Sequence, residues 1–236
     1  MIVLGLETSQ DQLRIGIVEE NSVLAEENQP AKGILAEIIL DSLDQALRKA
    51  GLRLADLTGL AFSQGPGSFT GLRVGLATLK GLAWGPKIPL LAVPTFEVIA
   101  SQFENKNTEV VVLSQARENL FLAGIYTLSE SLSDLQGELF VGDEDRLNEK
   151  IPAEATVLIL GTVFNLDSLK KGLPGRQILI NNEVTIPRGA TVARLGLEKL
   201  EQGQLADPQS VEPIYLQKAV FHSKVRDEWI KHPPHE

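Results

Sequence analysis

The chain has 236 residues, which is enough for one large domain or two small ones with a substantial core. Its net charge of −9 argues against non-specific binding of nucleic acid by this chain alone. The absence of cysteine excludes disulfide bonds and thiolate chemistry. The N-terminus lacks the basic segment of a signal peptide, and no apolar run approaches the roughly 20 residues of a membrane helix, so we expect a cytoplasmic protein with no membrane contact.

The first hundred residues follow the order β-β-β-α-β-α-β-α. Three β-rich segments joined by short turns predict an antiparallel meander, and the alternation after them predicts a mixed sheet with helices on its faces. The predicted strands are 2–6, 12–18, 23–27, 58–62 and 90–93. The predicted helices are 31–50, which ends at Gly51, then 69–85, and one that begins at Pro94 and Thr95.

A second subdomain is predicted after the polar run 101–107. It has the pattern of a smaller, degenerate copy of the first, with strands at 110–113, 120–126, 136–141, 156–160 and 178–180 and helices at 143–150 and 190–202. We therefore predict an α/β fold with two subdomains, 1–102 and 103–230, and a loose tail at 231–236. Whether the C-terminal part of the second packs back on the first stays open.

A glycine-rich loop joins the strand at 58–62 to the next helix, and it reads Gly65-Pro66-Gly67-Ser68-Phe69-Thr70-Gly71-Leu72-Arg73. Ser68 stands at the N-cap position, and the free amides behind it favour an anion or another polar group. The loop lacks the lysine of a P-loop and the glycine spacing of a dinucleotide site. Two interpretations stay open: an anion or nucleotide site, or a turn that only aims the helix. The candidate contacts are Glu7, Thr8 and Ser9 at the first turn, with Gly65, Gly67, Ser68, Thr70, Gly71 and Arg73.

The first helix has one broad apolar face, which we expect to pack on the sheet. Its members are Leu35, Ala36, Ile39, Leu40, Leu43, Ala46 and Leu47. Ile34 and Ile38 lie outside that face, one turn apart and close to Asp41. They are either a contact surface or two scattered exposed residues.

The second helix carries small residues at four-residue spacing. They are Gly71, Val74, Gly75, Thr78 and Gly81. Small residues let another backbone approach closely, and that backbone belongs either to a partner or to this protein's own sheet or first helix.

Catalytic chemistry has little support in the sequence. The histidines are His222, His232 and His235, and none forms a helical metal-binding pair. The chain has no Gly-x-Ser-x-Gly nucleophile motif. We predict no catalytic residue and no metal site, and the best enzymatic alternative is an ATPase or kinase that uses Glu7 and the loop from Gly65 to Gly71.

Four motifs of this chain resemble those of the TsaB family, which is related to the glycoprotease-like TsaD proteins. They are Gly65-Pro-Gly-Ser-Phe-Thr-Gly-Leu-Arg-Val-Gly75, Leu4-Gly-Leu-Glu-Thr-Ser9, Val93-Pro-Thr-Phe-Glu-Val-Ile-Ala100 and Pro213-Ile-Tyr-Leu216. The resemblance implies the actin-like ATPase (ribonuclease-H-like) fold. It also implies a non-catalytic scaffold subunit that pairs with TsaD and TsaE in the synthesis of threonylcarbamoyladenosine on tRNA.

In that family the two helices pair with those of TsaD, or with a second copy in a homodimer. The resemblance therefore implies an interface at Ile34, Ile38, Asp41, Val74, Thr78 and Gly81. It implies contact with tRNA only within the complex, no cofactor required by this chain, and ATP and a metal in the partner subunits. The chain departs from the family at Leu35, where histidine is typical, at Gln115, where aspartate is typical, and at Leu120, where glutamate is typical. A stand-alone ATPase or kinase and a homodimeric binding protein remain the alternatives.

Overall fold

The first of two five-stranded sheets is formed by the N-terminal part of the chain. The computed structural model describes residues 1–20, 22–104, 108–128, 136–161, 163, 165–180 and 183–214. The strand order is β3-β2-β1-β4-β5, in which β1 to β3 are antiparallel and β4 and β5 run parallel to β1. The strands are β1 (Ile2–Glu7), β2 (Gln12–Glu19), β3 (Ser22–Pro30), β4 (Gly59–Gly65) and β5 (Leu90–Pro94). The predicted meander is confirmed.

Two long helices cover one side of this sheet. They are α1 (Leu35–Ala50), which contacts β2 and β3, and α2 (Phe69–Trp84), which contacts β4. Ile39 and Leu43 of α1 share a buried cluster with Leu76 and Leu79 of α2. The helix α1 begins four residues later than predicted, because Gly33 adopts a left-handed conformation and the chain turns there first.

The second sheet repeats the arrangement of the first. Its order is β10-β9-β6-β7-β8, with β6 to β8 antiparallel and β9 and β10 parallel to β6. The strands are β6 (Glu109–Arg117), β7 (Leu120–Thr127), β8 (Gln136–Gly142), β9 (Thr156–Ile159) and β10 (Gln177–Ile180). The helices α4 (Glu144–Lys150) and α5 (Leu166–Gly172) accompany it, and α5 was not predicted.

Two further helices connect the halves. The short helix α3 (Thr95–Ser101) places Phe96 and Ile99 in a buried cluster with Val110 and Tyr126 of the second sheet. The last described helix, α6 (Gly189–Glu201), packs across β1, β2 and β4 of the first sheet, although its sequence follows the second sheet. Between α3 and α6, Gln102 donates to Val184 O at 3.1 Å and Ile186 O at 2.9 Å and accepts from Arg188 N at 3.1 Å.

Candidate functional site

The glycine-rich loop joins β4 to α2 and is attached to the turn after β1. Ser68 is the N-cap of α2, and its Oγ atom accepts from Gly71 N at 3.2 Å, as its position predicts. The Ser68 N–H donates to Ser9 O at 2.7 Å. The loop therefore fixes the start of α2 against the first turn of the chain.

Three glycines of the motif allow this close approach. A Cβ atom at Gly67 would lie 2.5 Å from Ser9 O, and one at Gly71 would lie 2.2 Å from Thr8 O. A Cβ atom at Gly75 would lie 2.5 Å from Thr8 Oγ1. The close neighbour at Gly71 is thus the chain's own backbone, and at Gly75 it is the chain's own Thr8 side chain. Gly81 differs, because a Cβ atom there would have no described atom within 4 Å.

Glu7 is completely buried beneath the same turn. One carboxylate oxygen accepts from Ser9 N at 2.6 Å and from Ser9 Oγ at 2.5 Å. Burial raises the pKa of Glu7, although these hydrogen bonds oppose the shift. The other oxygen, Oε2, has no hydrogen-bond partner within the described residues. In this arrangement Glu7 holds the turn in place and does not face the cleft described next.

A cleft of about 530 Å³ lies between the two halves. The first half contributes the turn after β1 and the start of α2, and the second half contributes the ends of β6 and β9. The lining residues are Ser9, Gln10, Asp11, Pro66, Gly67, Ser68, Phe69, Ser114, Gln115, Ala116, Leu122, Leu160, Gly161 and Ile214. The polar side chains among them are serine hydroxyls and glutamine amides, and the charged one is Asp11, which pairs with Lys32 at 2.9 Å.

The predicted contact residues are divided among three places. Ser9, Gly67 and Ser68 line the cleft. Thr70 and Gly71 line a smaller cavity of about 170 Å³ between α1 and α2. Glu7, Thr8 and Gly65 are buried, and Arg73 stacks on Phe69, 4.3 Å from the ring centroid.

Sequence reasoning missed most of the second wall of the cleft. Ser114, Ala116, Leu160 and Gly161 stand at the ends of β6 and β9, where parallel strands of a sheet finish at one edge. Gln10 and Asp11 follow Ser9 directly and were also missed. Their position in the turn after β1 was the available signal.

The groove between α1 and α2 is partly apolar and exposed. Ala36 and Val74 line the same small cavity, so this side of α1 faces α2. Leu40 follows Ala36 by one helical turn and is 57% exposed, which contradicts the prediction that it packs on the sheet. Ala36 is likewise exposed, and its predicted place on the sheet is also wrong. We define the α1–α2 face as Ala36 and Leu40 of α1 with Val74, Thr78 and Gly81 of α2.

The predicted interface residues on α1 do not all belong to the α1–α2 face. Ile38 is half-buried against the core, and one turn later Ser42 Oγ accepts from Gln29 Nε2 of β3, so Ile38 points towards β3. Ile34 (43% exposed) and Asp41 (also exposed) are on the solvent side of α1. Val74 packs partly into the core, and Thr78 Oγ1 donates to Val74 O at 2.9 Å.

Metal and membrane features are absent from the part of the chain that the structure describes. No group of three or more His, Cys, Asp or Glu side chains there could hold a metal ion. No helix among the same residues is long and apolar enough to cross a membrane. His222, His232, His235 and the predicted tail 231–236 lie outside the described residues.

The repeated sheets and the cleft between them define an α/β protein of the actin-like ATPase fold. YeaZ from Pseudomonas aeruginosa has the same fold, with a TM-score of 0.76 and 24% identity over 91% of this chain and 99% of that one. The family model described as "TsaD: tRNA N6-adenosine threonylcarbamoyltransferase" matches residues 30–173. The chain belongs to this glycoprotease-like family, of which it is a TsaB-like (YeaZ-like) member.

Two curated relatives differ in how much of their length is matched. The tRNA threonylcarbamoyladenosine biosynthesis protein TsaB of Bacillus subtilis (strain 168) is 27% identical over 98% of this chain and 99% of its own length. The tRNA N6-adenosine threonylcarbamoyltransferase of Syntrophus aciditrophicus (strain SB) is 30% identical over 66% of this chain, but the match covers 54% of that protein.

Proposed function

We propose that this chain is a non-catalytic subunit in the synthesis of threonylcarbamoyladenosine on tRNA. It binds TsaD through the α1–α2 face and, together with TsaE, supports transfer of threonylcarbamoyl to the tRNA adenosine. The similarity to TsaB of Bacillus subtilis, along almost the full length of both chains, supports a role in the synthesis of threonylcarbamoyladenosine on tRNA. The short match to the transferase of Syntrophus aciditrophicus supports the non-catalytic role, because nearly half of that protein has no counterpart in the match.

The observation that carries the proposed binding of TsaD is the exposed Leu40, which belongs to an α1–α2 face that also contains small residues such as Ala36 and Gly81. Leu40 stands one helical turn after Ala36 of the cavity between α1 and α2 and is 57% exposed, and the space above Gly81 is open. Exposed apolar residues beside small ones let a partner helix approach and bury apolar area. Ile34, also exposed, extends the apolar surface along α1.

The charge of the chain fits a subunit that does not hold tRNA by itself. With a net charge of −9, the isolated chain repels the phosphate backbone, so the partner subunits must supply most of the binding. In this proposal the protein acts in the cytoplasm and needs no cofactor of its own. ATP and a metal act in the partner subunits.

The alternative of a stand-alone ATPase or kinase has less support. It requires a carboxylate that reaches a magnesium ion in the cleft, and Glu7 is buried beneath the turn. ATP turnover by the purified chain with magnesium would restore that alternative.

The proposal is tested by light scattering after size-exclusion chromatography of the chain mixed with TsaD from the same organism. We expect a one-to-one complex that Leu40→Glu weakens by more than about 100-fold, because the variant removes apolar burial and places a charge in the interface. The matched control is Leu205→Glu, since Leu205 is 55% exposed but lies after α6. Equal binding by the two variants would refute the role of the α1–α2 face.

The same experiment addresses the homodimer alternative. The mass of the chain alone reports self-association, and a dimer that ignores TsaD would contradict the proposed partner. A reconstituted tRNA modification assay, with and without the chain, then tests the process itself. Modification that proceeds equally well without the chain would contradict the proposed function.

A further inference from the structure

We propose that one internal water molecule bridges Glu7 Oε2 and Arg14 Nη1 beneath the first turn of the chain, in place of a direct ion pair. The inference goes beyond the proposed function, because it concerns the interior of the first half and not the α1–α2 face. It assigns a buried hydration site that helps to position the turn against which α2 begins.

Glu7 and Arg14 stand side by side on the face of the sheet that α6 covers. They are directly opposite in the antiparallel register of β1 and β2, which places their Cβ atoms about 4.5–5.5 Å apart. Residues two apart in a strand share a face of the sheet, and Gly5 and Gly16 are two residues away from this pair. A Cβ atom would lie 2.3 Å from the backbone of α6 at Gly5 and 2.1 Å from it at Gly16. The two charged side chains therefore project towards the layer between the sheet and α6.

Each of these buried side chains has one polar atom without a partner. Glu7 is 0% exposed and Arg14 is 8% exposed. Within the described residues, Glu7 Oε2 and Arg14 Nη1 have no hydrogen-bond partner, so the two atoms do not bond to each other. Other atoms of both side chains are engaged, since Glu7 Oε1 accepts from Ser9 and Arg14 Nη2 donates to Gln12 Oε1 at 2.8 Å. Those bonds anchor the carboxylate to the turn and the guanidinium to β2.

A water molecule suits a buried acceptor that stands next to a buried donor. Buried polar atoms nearly always have a hydrogen-bond partner, and an internal water typically makes about three bonds to such atoms. Water can donate to the carboxylate oxygen and accept from the guanidinium N–H at the same time. Ser63 offers a third partner, because the register of β1 and β4 places it beside Glu7 and its Oγ atom donates to Leu6 O over a long 3.4 Å.

The electrostatics agree with two charges that are near each other but not in contact. Burial raises the pKa of Glu7 and lowers the pKa of Arg14, and in both cases it is the largest cause of the shift. Attraction between the two charges opposes both shifts. A bridging water keeps this attraction while it satisfies the atom that each side chain leaves unpaired.

The bridge would fix the turn that holds the start of α2. Glu7 Oε1 accepts from Ser9 N at 2.6 Å, and Ser9 O accepts from Ser68 N at 2.7 Å. Glu7 is then held at both oxygens, one by the turn and the other, through the water, by β2. Arg14 acts in this way as a positioning residue for the N-terminus of α2.

The test is a high-resolution crystal structure of the full chain and of two variants. We expect one ordered water at about 2.7–3.2 Å from both Glu7 Oε2 and Arg14 Nη1 in the parent chain. Arg14→Met should lose this water, whereas Arg14→Lys, which keeps a charged donor, should retain it. The matched control is Arg48→Met, because Arg48 is exposed and pairs with Asp44 on the surface of α1. If Arg14→Met does not fold, the parent and Arg14→Lys structures still decide the question.

A carbon-13 NMR titration of the Glu7 carboxyl gives a second readout, in solution. Arg14→Met should raise the pKa of Glu7 above its value in the parent chain, because a nearby positive charge is lost, and Arg48→Met should leave it unchanged. A direct bond between Nη1 and Oε2, no density between them, or a chloride ion identified by anomalous scattering would each overturn the proposal. So would an unchanged Glu7 titration in folded Arg14→Met. Leu40→Glu should keep the water while it loses TsaD, so failure of the two proposals is distinguishable.

Discussion

Replacing Gly71 by alanine should destabilise the protein, although alanine is the better helix former. The new Cβ atom would lie 2.2 Å from Thr8 O, whereas real Cβ contacts essentially never fall below 3.0 Å, so α2 and the first turn must separate by about 0.8 Å. Overpacking of this kind costs about 1–3 kcal/mol, and the gain in helix propensity is at most about 1 kcal/mol. We expect a net loss of about 1–2 kcal/mol in the free energy of unfolding, measured by urea denaturation.

Gly81→Ala is the matched control, since it makes the same change in the same helix. No described atom lies within 4 Å of the new Cβ atom, so only the propensity gain of about 0.5–1 kcal/mol remains. The two variants should therefore differ by about 1.5–3 kcal/mol, in opposite directions from the parent chain. If they are equally stable, the packing of α2 on the first turn does not explain the glycine at position 71.

Three further predictions concern single side chains. Burial raises the pKa of Glu7 in the folded state, so the folded chain holds the proton more tightly than the unfolded chain does. The contribution of protonated Glu7 to the free energy of unfolding is therefore greatest at low pH and is lost as the pH rises through the folded pKa. Urea denaturation between pH 5 and 8 should show Glu7→Gln gaining stability relative to the parent as the pH rises, and a pH-independent difference would contradict this assignment. Ser68→Ala removes the N-cap of α2 and should cost about 1 kcal/mol in the same assay, while an unchanged midpoint would show that the cap is unimportant. Gln102→Leu removes one part-buried hydrogen bond, to Val184 O, and two exposed ones, to Ile186 O and Arg188 N, and should cost about 1 kcal/mol, with faster hydrogen exchange at Arg188 N as its signature.

The strands of this fold could be predicted from the sequence because most are short apolar runs bounded by turn residues. The run 58–62 is mostly buried, as β4, between neighbours on both sides, so its composition alone indicated a strand. The helix α5 was missed for the opposite reason, since its seven residues contain two leucines and give too little periodicity. The start of α1 was placed too early because a helical wheel shows the apolar face but not the left-handed turn at Gly33, which precedes the helix.

The candidate site was less predictable than the fold. The helical wheel assigned Leu40 to the buried side, but a wheel does not show which neighbouring elements cover a helix, and Leu40 is 57% exposed in the fold. Half of the residues that line the cleft follow the glycine-rich loop by more than 40 positions, from Ser114 to Ile214. Only the folded arrangement of the two sheets brings those residues together with Ser9 and Ser68.

The contacts of the glycine-rich motif favour one of its two interpretations. Gly67, Gly71 and Gly75 each lie where a side chain would collide with Thr8 or Ser9, so their spacing matches a packing surface for the first turn. Once α2 is fixed in this way, its first turn supplies Ser68 and Phe69 to the cleft, and its next turns supply Val74 and Thr78 to the α1–α2 face. A phosphate loop would need its backbone amides open to a ligand, whereas here Ser68 N donates to Ser9 O and Gly71 N donates to Ser68 Oγ. The motif is therefore better explained as the element that positions α2 than as an anion site.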